Sequence, residues 1–174
     1  MAKANFKVPE LKQYAEIPAI EPGTMAHSSP FVAKPIHQEP LGFPGELGDD
    51  WQEQALEKMG DLLGRYRSLR VYLDSCVKCG SCTDKCHYYL GTQDPKNMPV
   101  GRQDLMRKVY RRYFTWAGKF FPKLVGATDL TREVLDDWYS YYHQCSQCRR
   151  CSVFCPYGID TAEISMAARE IMDH

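Results

Sequence analysis

Two runs of four cysteines with identical spacing constrain this chain more than any other feature. The runs comprise Cys76, Cys79, Cys82 and Cys86, and then Cys145, Cys148, Cys151 and Cys155, which together are all eight cysteines of the chain. Both follow C-x2-C-x2-C-x3-C, the spacing with which bacterial two-cluster ferredoxins bind a pair of [4Fe-4S] clusters, and Pro156 completes the motif after the second run. The spacing therefore predicts two [4Fe-4S] clusters and an electron carrier.

The same motif predicts how the thiolates are shared. In two-cluster ferredoxins the fourth cysteine of each run binds the cluster of the other run. We therefore predict that one cluster is held by Cys76, Cys79, Cys82 and Cys155, and the other by Cys145, Cys148, Cys151 and Cys86. Metal bonds would then join the two halves of the fold.

Three other uses of the cysteines are less consistent with the sequence. Structural zinc usually takes four ligands from two separate C-x2-C pairs. Each run here has four closely spaced cysteines, two more than such a pair contains. Disulfides need an oxidising compartment, whereas the first residues, MAKANFKVPELK, contain no apolar signal segment. A single cluster would leave one run unused, although neither run lacks a ligand.

Length and charge exclude several other classes of protein. The chain has 174 residues, enough for one domain with an appendage, and 22 basic residues balance 22 acidic ones, which argues against general nucleic-acid binding. No stretch approaches the roughly 18 apolar residues needed to span a bilayer. We expect a domain with no transmembrane segment of its own.

Residues 1–50 differ in composition from the rest. They hold seven of the eleven prolines and show no sustained helical or strand period. Apolar residues nevertheless recur among these prolines, including Phe6, Leu11, Tyr14, Phe31 and Phe43. A chain stiffened by proline loses little entropy when it lies along a surface, so we predict an extended arm that wraps onto a partner subunit. The alternatives are packing on its own domain, or disorder.

Residues 51–174 show helical periodicity around both cysteine runs. Asp50 and Glu53 form a candidate capping box for one long helix from Ala55 to Leu73. Further helices are predicted over residues 105–114 and 130–142, and after Asp160 with Glu163 as its capping partner. The 58 residues between Cys86 and Cys145 contain no alternating strand pattern. We predict an all-α fold, an α-helical ferredoxin domain.

One helix face within this domain is rich in positive charge. It carries Arg102, Arg107, Lys108, Arg111 and Arg112, and the excess continues with Lys119 and Lys123. Such a face could dock onto a partner or onto anionic lipid headgroups, or it could simply be solvated.

The order helix, cysteine run, helix, repeated twice, resembles the helical ferredoxin modules of heterodisulfide reductase, glycerol-3-phosphate dehydrogenase and fumarate reductase subunits. The segments CHYYLGTQDPKNMPVGRQDLMRKVYRR and YYHQCSQCRRCSVFCPYGIDTAEISMAARE narrow the resemblance. They are similar to the N-terminal part of the DsrK family, the cytoplasmic iron-sulfur subunits of a membrane complex of dissimilatory sulfur metabolism. The similarity covers roughly residues 60–172.

This resemblance implies an electron relay between a membrane quinone and haem module, with a DsrM-like cytochrome b subunit, and a DsrC-like sulfur carrier that holds a disulfide or trisulfide. It also implies a cytoplasmic position, peripheral on the inner face of the membrane. The catalytic cysteine-rich region of that family contains adjacent cysteines, and no such pair occurs here. We therefore assign disulfide reduction to no residue of this sequence.

Two other functions remain open from the sequence. The chain could be the small iron-sulfur relay subunit of a soluble flavin-dependent dehydrogenase, which would co-purify with flavin rather than haem. It could also be a structural or redox-sensing protein, whose clusters would not cycle reversibly.

Overall fold

The computed structural model describes residues 47–174, so the arm predicted over residues 1–50 lies almost entirely outside the described residues. Within them the chain forms nine α-helices: α1 Trp51–Arg65, α2 Arg67–Ser75, α3 His87–Thr92, α4 Pro99–Phe114, α5 Trp116–Phe120, α6 Pro122–Val125, α7 Arg132–His143, α8 Arg150–Val153 and α9 Thr161–Met172. Two short 3-10 turns, Thr83–Lys85 and Pro95–Asn97, complete the regular structure. This part of the chain has no β-strand, and the predicted all-α fold is confirmed.

The C-terminal helix α9 organises the core, because it packs against α1, α2, α4 and α7. Its small residues Ala162 and Ala168 allow close approach, and Ile164 is fully buried. The centre of the core also contains Leu62, Leu69, Leu73, Met106, Val109, Trp138 and Tyr142, each of which is fully buried. Helices α1, α2, α4, α7 and α9 therefore share one core.

The single helix predicted from Ala55 to Leu73 is wrong, because the chain breaks into α1 and α2 at Tyr66. This residue adopts an extended conformation, with φ −108° and ψ 95°, although its backbone N–H still bonds to the carbonyl of Leu62. Gly64 lies two residues earlier, and a glycine costs a helix about 1 kcal/mol relative to alanine. The predicted capping box also fails here, since the side chain of Asp50 makes no cap hydrogen bond.

Side chains cap the two later core helices at their N-termini. Thr131 accepts a hydrogen bond from the backbone N–H of Val134 at the start of α7. Asp160 accepts one from the N–H of Ala162 at the start of α9, as predicted. Glu163, the predicted second half of that box, instead accepts a hydrogen bond from the Ser68 hydroxyl. This contact fastens α9 to α2.

Among residues 47–174, every helix is too short or too polar to cross a lipid bilayer.

Candidate iron-sulfur centre

Each cysteine run lies in the connection between two core helices. The first run follows α2 and ends at Cys86, immediately before α3, and the second follows α7 and reaches Cys151 within α8. All eight cysteines are free thiols in the structure. Cys79 and Cys148, the second cysteine of each run, are exposed, whereas Cys86 is buried and the others are partly buried. Each loop therefore directs one cysteine to the surface and the others inward.

The two loops share an unusual backbone conformation. Lys78 and Gly80 flank the second cysteine of the first run with φ of 57° and 80°. Gln147 and Arg149 flank the second cysteine of the other run with φ of 56° and 58°. A left-handed conformation costs a residue with a side chain roughly 1–2 kcal/mol. Successive backbone N–H groups in such turns can point into one concavity and favour an anionic group there.

An ion pair ties each loop to the protein next to its second cysteine. Lys78 Nζ lies 2.8 Å from Asp104 Oδ1 on α4. Arg149 Nε lies 3.3 Å from Asp160 Oδ2, the N-cap of α9. Both basic residues adopt the left-handed conformation, so these pairs help to hold the strained turns in place.

The cysteines line two cavities, each with an empty volume of about 360 Å³ that includes some open solvent. The first cavity is lined by Cys76, Cys79, Cys82, Cys151 and Cys155. The second is lined by Cys86, Cys145, Cys148 and Cys151. The fourth cysteine of each run thus lies with the first three cysteines of the other run, and Cys151 lies on the wall between the cavities.

Two arginines hold equivalent points of the two loops. Arg107 of α4 donates from Nε to the carbonyl of Leu73 at 2.9 Å and from Nη1 to the carbonyl of Cys76 at 3.0 Å. Arg169 of α9 donates from Nε to the carbonyl of Tyr142 at 3.0 Å, and its Nη2 donates to the carbonyl of Cys145. In each half the carbonyls belong to the first cysteine and to the residue three positions before it. The guanidinium groups therefore fix where both runs begin.

A third arginine, Arg102, is distinguished by its contact with a cysteine sulfur. It is 2% exposed, and its Nη1 lies 3.5 Å from the Sγ of Cys86. Its other nitrogens donate to the carbonyl of Tyr141 at 2.9 Å and to Asn97 Oδ1 at 2.8 Å. A buried cation thus faces one thiol of the second cavity. Among the described residues no arginine or lysine makes the corresponding contact with Cys155.

The part of the predicted basic face that lies on α4 is therefore wrong as an exposed docking surface, whereas its continuation, Lys119 and Lys123, is exposed. Arg102 and Arg107 point inward to the cysteine loops and are buried. Arg111 binds the carbonyl of Val125, and Arg112 pairs with Asp129. Lys108 shares Asp104 with Lys78. Helical periodicity alone missed this, because a long guanidinium side chain can satisfy buried carbonyls while its stem packs in the core.

Burial affects the thiols unequally. Burial raises the pKa of Cys82 to about 11, and it also raises the pKa of Cys151. At Cys79, by contrast, a hydrogen bond with the Ser81 side chain lowers the pKa of the thiol. Soft thiolates are the ligands that iron-sulfur clusters select, and metal binding replaces the thiol protons. Two cavities with at least four thiols each, beside buried guanidinium groups, fit two clusters bound by cysteine alone.

Comparisons with known proteins agree with this geometry. The 4Fe-4S dicluster domain family matches residues 72–159. The chain is 58% identical over 127 residues to the Hdr-like menaquinol oxidoreductase iron-sulfur subunit 2 of Archaeoglobus fulgidus, and 53% identical over the same length to the corresponding subunit of Archaeoglobus profundus. Each alignment covers 73% of this chain and 23% of the relative.

A more distant relative is a dihydromethanophenazine:CoB–CoM heterodisulfide reductase subunit of Methanosarcina acetivorans. It is 32% identical over 93 residues, which are 53% of this chain and 22% of that protein. The chain thus spans less than a quarter of the length of these relatives. No solved structure matches it significantly. The matched region contains all eight cysteines, so the predicted cofactors, two [4Fe-4S] clusters, are confirmed, and the chain belongs to the 4Fe-4S dicluster domain family.

Proposed function

We propose that this chain is the electron-relay domain of a heterodisulfide-reductase-like subunit of the DsrK type. The observation that carries the proposal is the pair of cysteine cavities separated by a wall that contains Cys151. Two clusters bound there are neighbours, and each supplies a site that gains and loses single electrons. The exposed cysteines Cys79 and Cys148 lie one on each loop, so each cluster has its own approach from the surface.

The relatives support the kind of complex that we propose. Their names describe Hdr-like menaquinol oxidoreductases, that is, enzymes that act on menaquinol and resemble heterodisulfide reductase. We propose that electrons pass between a membrane quinone and haem module, with a DsrM-like cytochrome b partner, and a DsrC-like sulfur carrier. The disulfide or trisulfide chemistry would occur outside residues 1–174. The domain would act at the cytoplasmic face of the membrane, and residues 1–50 would form an arm that lies along a partner subunit.

For the ligands we propose the crossed arrangement. Cys76, Cys79, Cys82 and Cys155 hold one cluster, and Cys145, Cys148, Cys151 and Cys86 hold the other. The lining of the two cavities supports this partition, because each fourth cysteine lies with the other run. Cys151 lines both cavities, and we place it with Cys145 and Cys148 of its own run.

The test of the relay is anaerobic analysis of the purified chain. We expect about eight irons and eight sulfides per chain, because each of the two clusters contains four of each, and two EPR signals that interact during a reductive titration. Four irons would contradict the proposal, as would zinc in place of iron. Two clusters that cannot be reduced and reoxidised would indicate a structural role instead.

Paired cysteine variants test the ligation. Under the crossed arrangement, Cys155→Ser perturbs the same EPR signal as Cys76→Ser, and Cys86→Ser perturbs the same signal as Cys145→Ser. If Cys155→Ser instead matches Cys145→Ser, each run holds its own cluster and the crossed arrangement is wrong.

The identity of the complex needs a different experiment. When the native complex is isolated from membranes, co-purification of haem and reduction of the clusters by a menaquinol analogue would support the DsrK-type role. Co-purification of flavin without haem would favour the relay subunit of a flavin-dependent dehydrogenase.

A further inference from the structure

The segment formed by α5 and α6 presents its apolar side chains to solvent. Trp116 is 71% exposed and Leu124 is 84% exposed, and Phe120 and Phe121 between them are also exposed. The Trp116 ring lies 5.4 Å from the Phe120 ring and 6.3 Å from the Phe121 ring, between centroids. The three rings therefore form one surface rather than scattered apolar residues, and together with Leu124, which follows in α6, we call them the aromatic patch.

The aromatic patch is not a loosely attached piece of chain, because polar and backbone contacts hold the segment on α4. Thr115 caps α5 at the N–H of Gly118 and donates its hydroxyl to the carbonyl of Arg111 at 2.7 Å. Arg111 in turn donates to the carbonyl of Val125 at 2.9 Å, at the end of α6. A side chain at Gly118 would clash with the carbonyl oxygen of Arg111, so the backbones lie in direct contact.

The segment is thus built in the reverse of the usual sense, with its polar contacts toward the domain and its apolar side chains outward. Removing large apolar side chains from water is the dominant favourable contribution to folding and to most association. The side chains of the aromatic patch stay exposed to water, so they do not supply this favourable free energy to folding. Such a surface is typical of a site that contacts another apolar phase.

The charges around the aromatic patch indicate that this apolar phase is a lipid bilayer. Lys119 and Lys123 alternate with the apolar residues, and both are exposed. Neither lysine has a carboxylate within ion-pairing distance among residues 47–174. Residues 115–128 contain no acidic side chain. Aromatic and leucine side chains beside lysines are the composition of segments that lie in the interface of an anionic bilayer.

We propose that the aromatic patch, with Lys119 and Lys123, docks this domain on the surface of an anionic membrane. The four apolar side chains enter the headgroup region, and the two ammonium groups contact lipid phosphates. This inference rests on the proposed function only in placing the domain beside a membrane. It adds the surface that makes the contact.

The position of the patch leaves the second cysteine cavity accessible. Arg102, which contacts Cys86, and Phe114, which ends α4 next to α5, are separated by 12 residues along that helix, or about 18 Å at 1.5 Å per residue. Docking through the patch therefore leaves the second cysteine cavity, which Arg102 lines at the opposite end of α4, free to exchange electrons with protein partners.

Vesicle co-sedimentation of the anaerobically purified, cluster-loaded chain tests the proposal. The probes are vesicles of phosphatidylcholine mixed with phosphatidylglycerol, and vesicles of phosphatidylcholine alone. We expect binding to the mixed vesicles that weakens as salt is added. The double variant Lys119→Gln/Lys123→Gln should bind them roughly 25-fold more weakly, at about fivefold per lysine near an anionic surface. Phe120→Ser/Leu124→Ser should lower binding to both kinds of vesicle at least tenfold.

A matched control is the double variant Val71→Ser/Leu90→Ser, which removes two apolar side chains that are also exposed but lie outside the patch. It should bind like the wild-type chain. The proposal is overturned if the wild-type chain fails to bind mixed vesicles, or if the control loses as much binding as the patch variants. It is also overturned if the wild-type chain is a dimer that Phe120→Ser/Leu124→Ser converts to a monomer, because the patch would then join two copies of the chain. None of these outcomes affects the iron content or the reductive titration, so they leave the proposed relay to its own test.

Discussion

The contact between Arg102 and Cys86 leads to a prediction about reduction potential. Hydrogen bonds and positive charge at a ligand sulfur stabilise the reduced, more negative cluster and so raise its potential. Arg102 Nη1 lies 3.5 Å from the Cys86 sulfur, and both residues are buried. Arg102→Gln removes the charge but keeps a polar side chain. We expect a fall in the midpoint potential of the cluster for which we propose Cys86 as a ligand.

The size of the shift follows from the strength of the contact. A hydrogen bond that involves a charged group contributes about 1.5–3 kcal/mol. For a one-electron couple, a tenfold change in equilibrium constant corresponds to a free energy of about 1.4 kcal/mol and to a potential difference of about 59 mV. The predicted decrease is therefore at most about 60–130 mV, because the same hydrogen bond also stabilises the oxidised cluster in part. Coulomb's law sets an upper bound of about 5 kcal/mol, or about 200 mV, for unit charges at this 3.5 Å separation and an effective dielectric constant near 20.

The assay is a redox titration followed by EPR on the cluster-loaded chain, with four variants compared. Arg102→Lys keeps the charge but loses the planar fork, so its potential should lie closer to that of the wild-type chain. Arg107→Gln is the matched control, because Arg107 is similarly buried, at 3% exposure, but contacts carbonyl oxygens and no sulfur. It should lower the free energy of unfolding without shifting the Cys86 cluster by a comparable amount. The Cys86→Ser variant identifies which EPR signal belongs to that cluster.

Unchanged midpoint potentials in Arg102→Gln would refute the assigned role of the charge. Equal shifts of the same signal in Arg102→Gln and Arg107→Gln would refute it as well, because the effect would then come from a disturbed fold. Arg102→Lys separates these cases. A lysine variant as destabilised as the glutamine variant, but with a nearly normal potential, would assign the shift to charge rather than to structure.

Three further predictions concern stability. Gln147→Gly should raise the free energy of unfolding of the cluster-free chain by up to about 1 kcal/mol, measured by urea denaturation, because Gln147 has a φ of 56° that glycine adopts without strain. Gly118→Ala should lower it by about 1–3 kcal/mol and expose α5 to proteolysis, because the new methyl group meets the Arg111 carbonyl oxygen. Leu73→Ala should lower it by about 2–5 kcal/mol, measured by thermal or urea unfolding, because Leu73 is fully buried between the core and the first cysteine run.

Each stability prediction has a result that would contradict it. A Gln147→Gly chain less stable than the wild type would mean that the left-handed turn carries no strain. Normal protease resistance in Gly118→Ala would show that α5 can move away from α4 at little cost. A loss below about 1 kcal/mol in Leu73→Ala would mean that the surrounding core collapses to fill the space.

Local features of the sequence were sufficient to predict the cofactors and the fold class. The spacing of the cysteines reflects how one tight loop surrounds a cluster, so it specifies two [4Fe-4S] clusters without any knowledge of the fold. Apolar spacing specifies helices in the same way, as at Trp138 and Tyr142 in α7 or Ile164 and Ala168 in α9. It failed at Tyr66, where a regular apolar stripe continues through a break in the backbone. The stripe marks the residues that face the core, and both α1 and α2 pack against the core through these residues.

The surroundings of the cysteines depend instead on contacts between distant parts of the chain. Arg102 and Arg107 were predicted as part of a basic face, yet both are buried, because carbonyls of Leu73, Cys76 and Tyr141 accept their hydrogen bonds. Sequence periodicity carries no information about such partners, which lie more than 30 residues away. Local patterns are thus enough to specify two clusters within a helical domain, because the ligands and the helical stripes are each encoded over short stretches. Which positive charges face the clusters, and which side chains stay on the surface, follows from packing, since burial depends on segments that meet only when the chain folds.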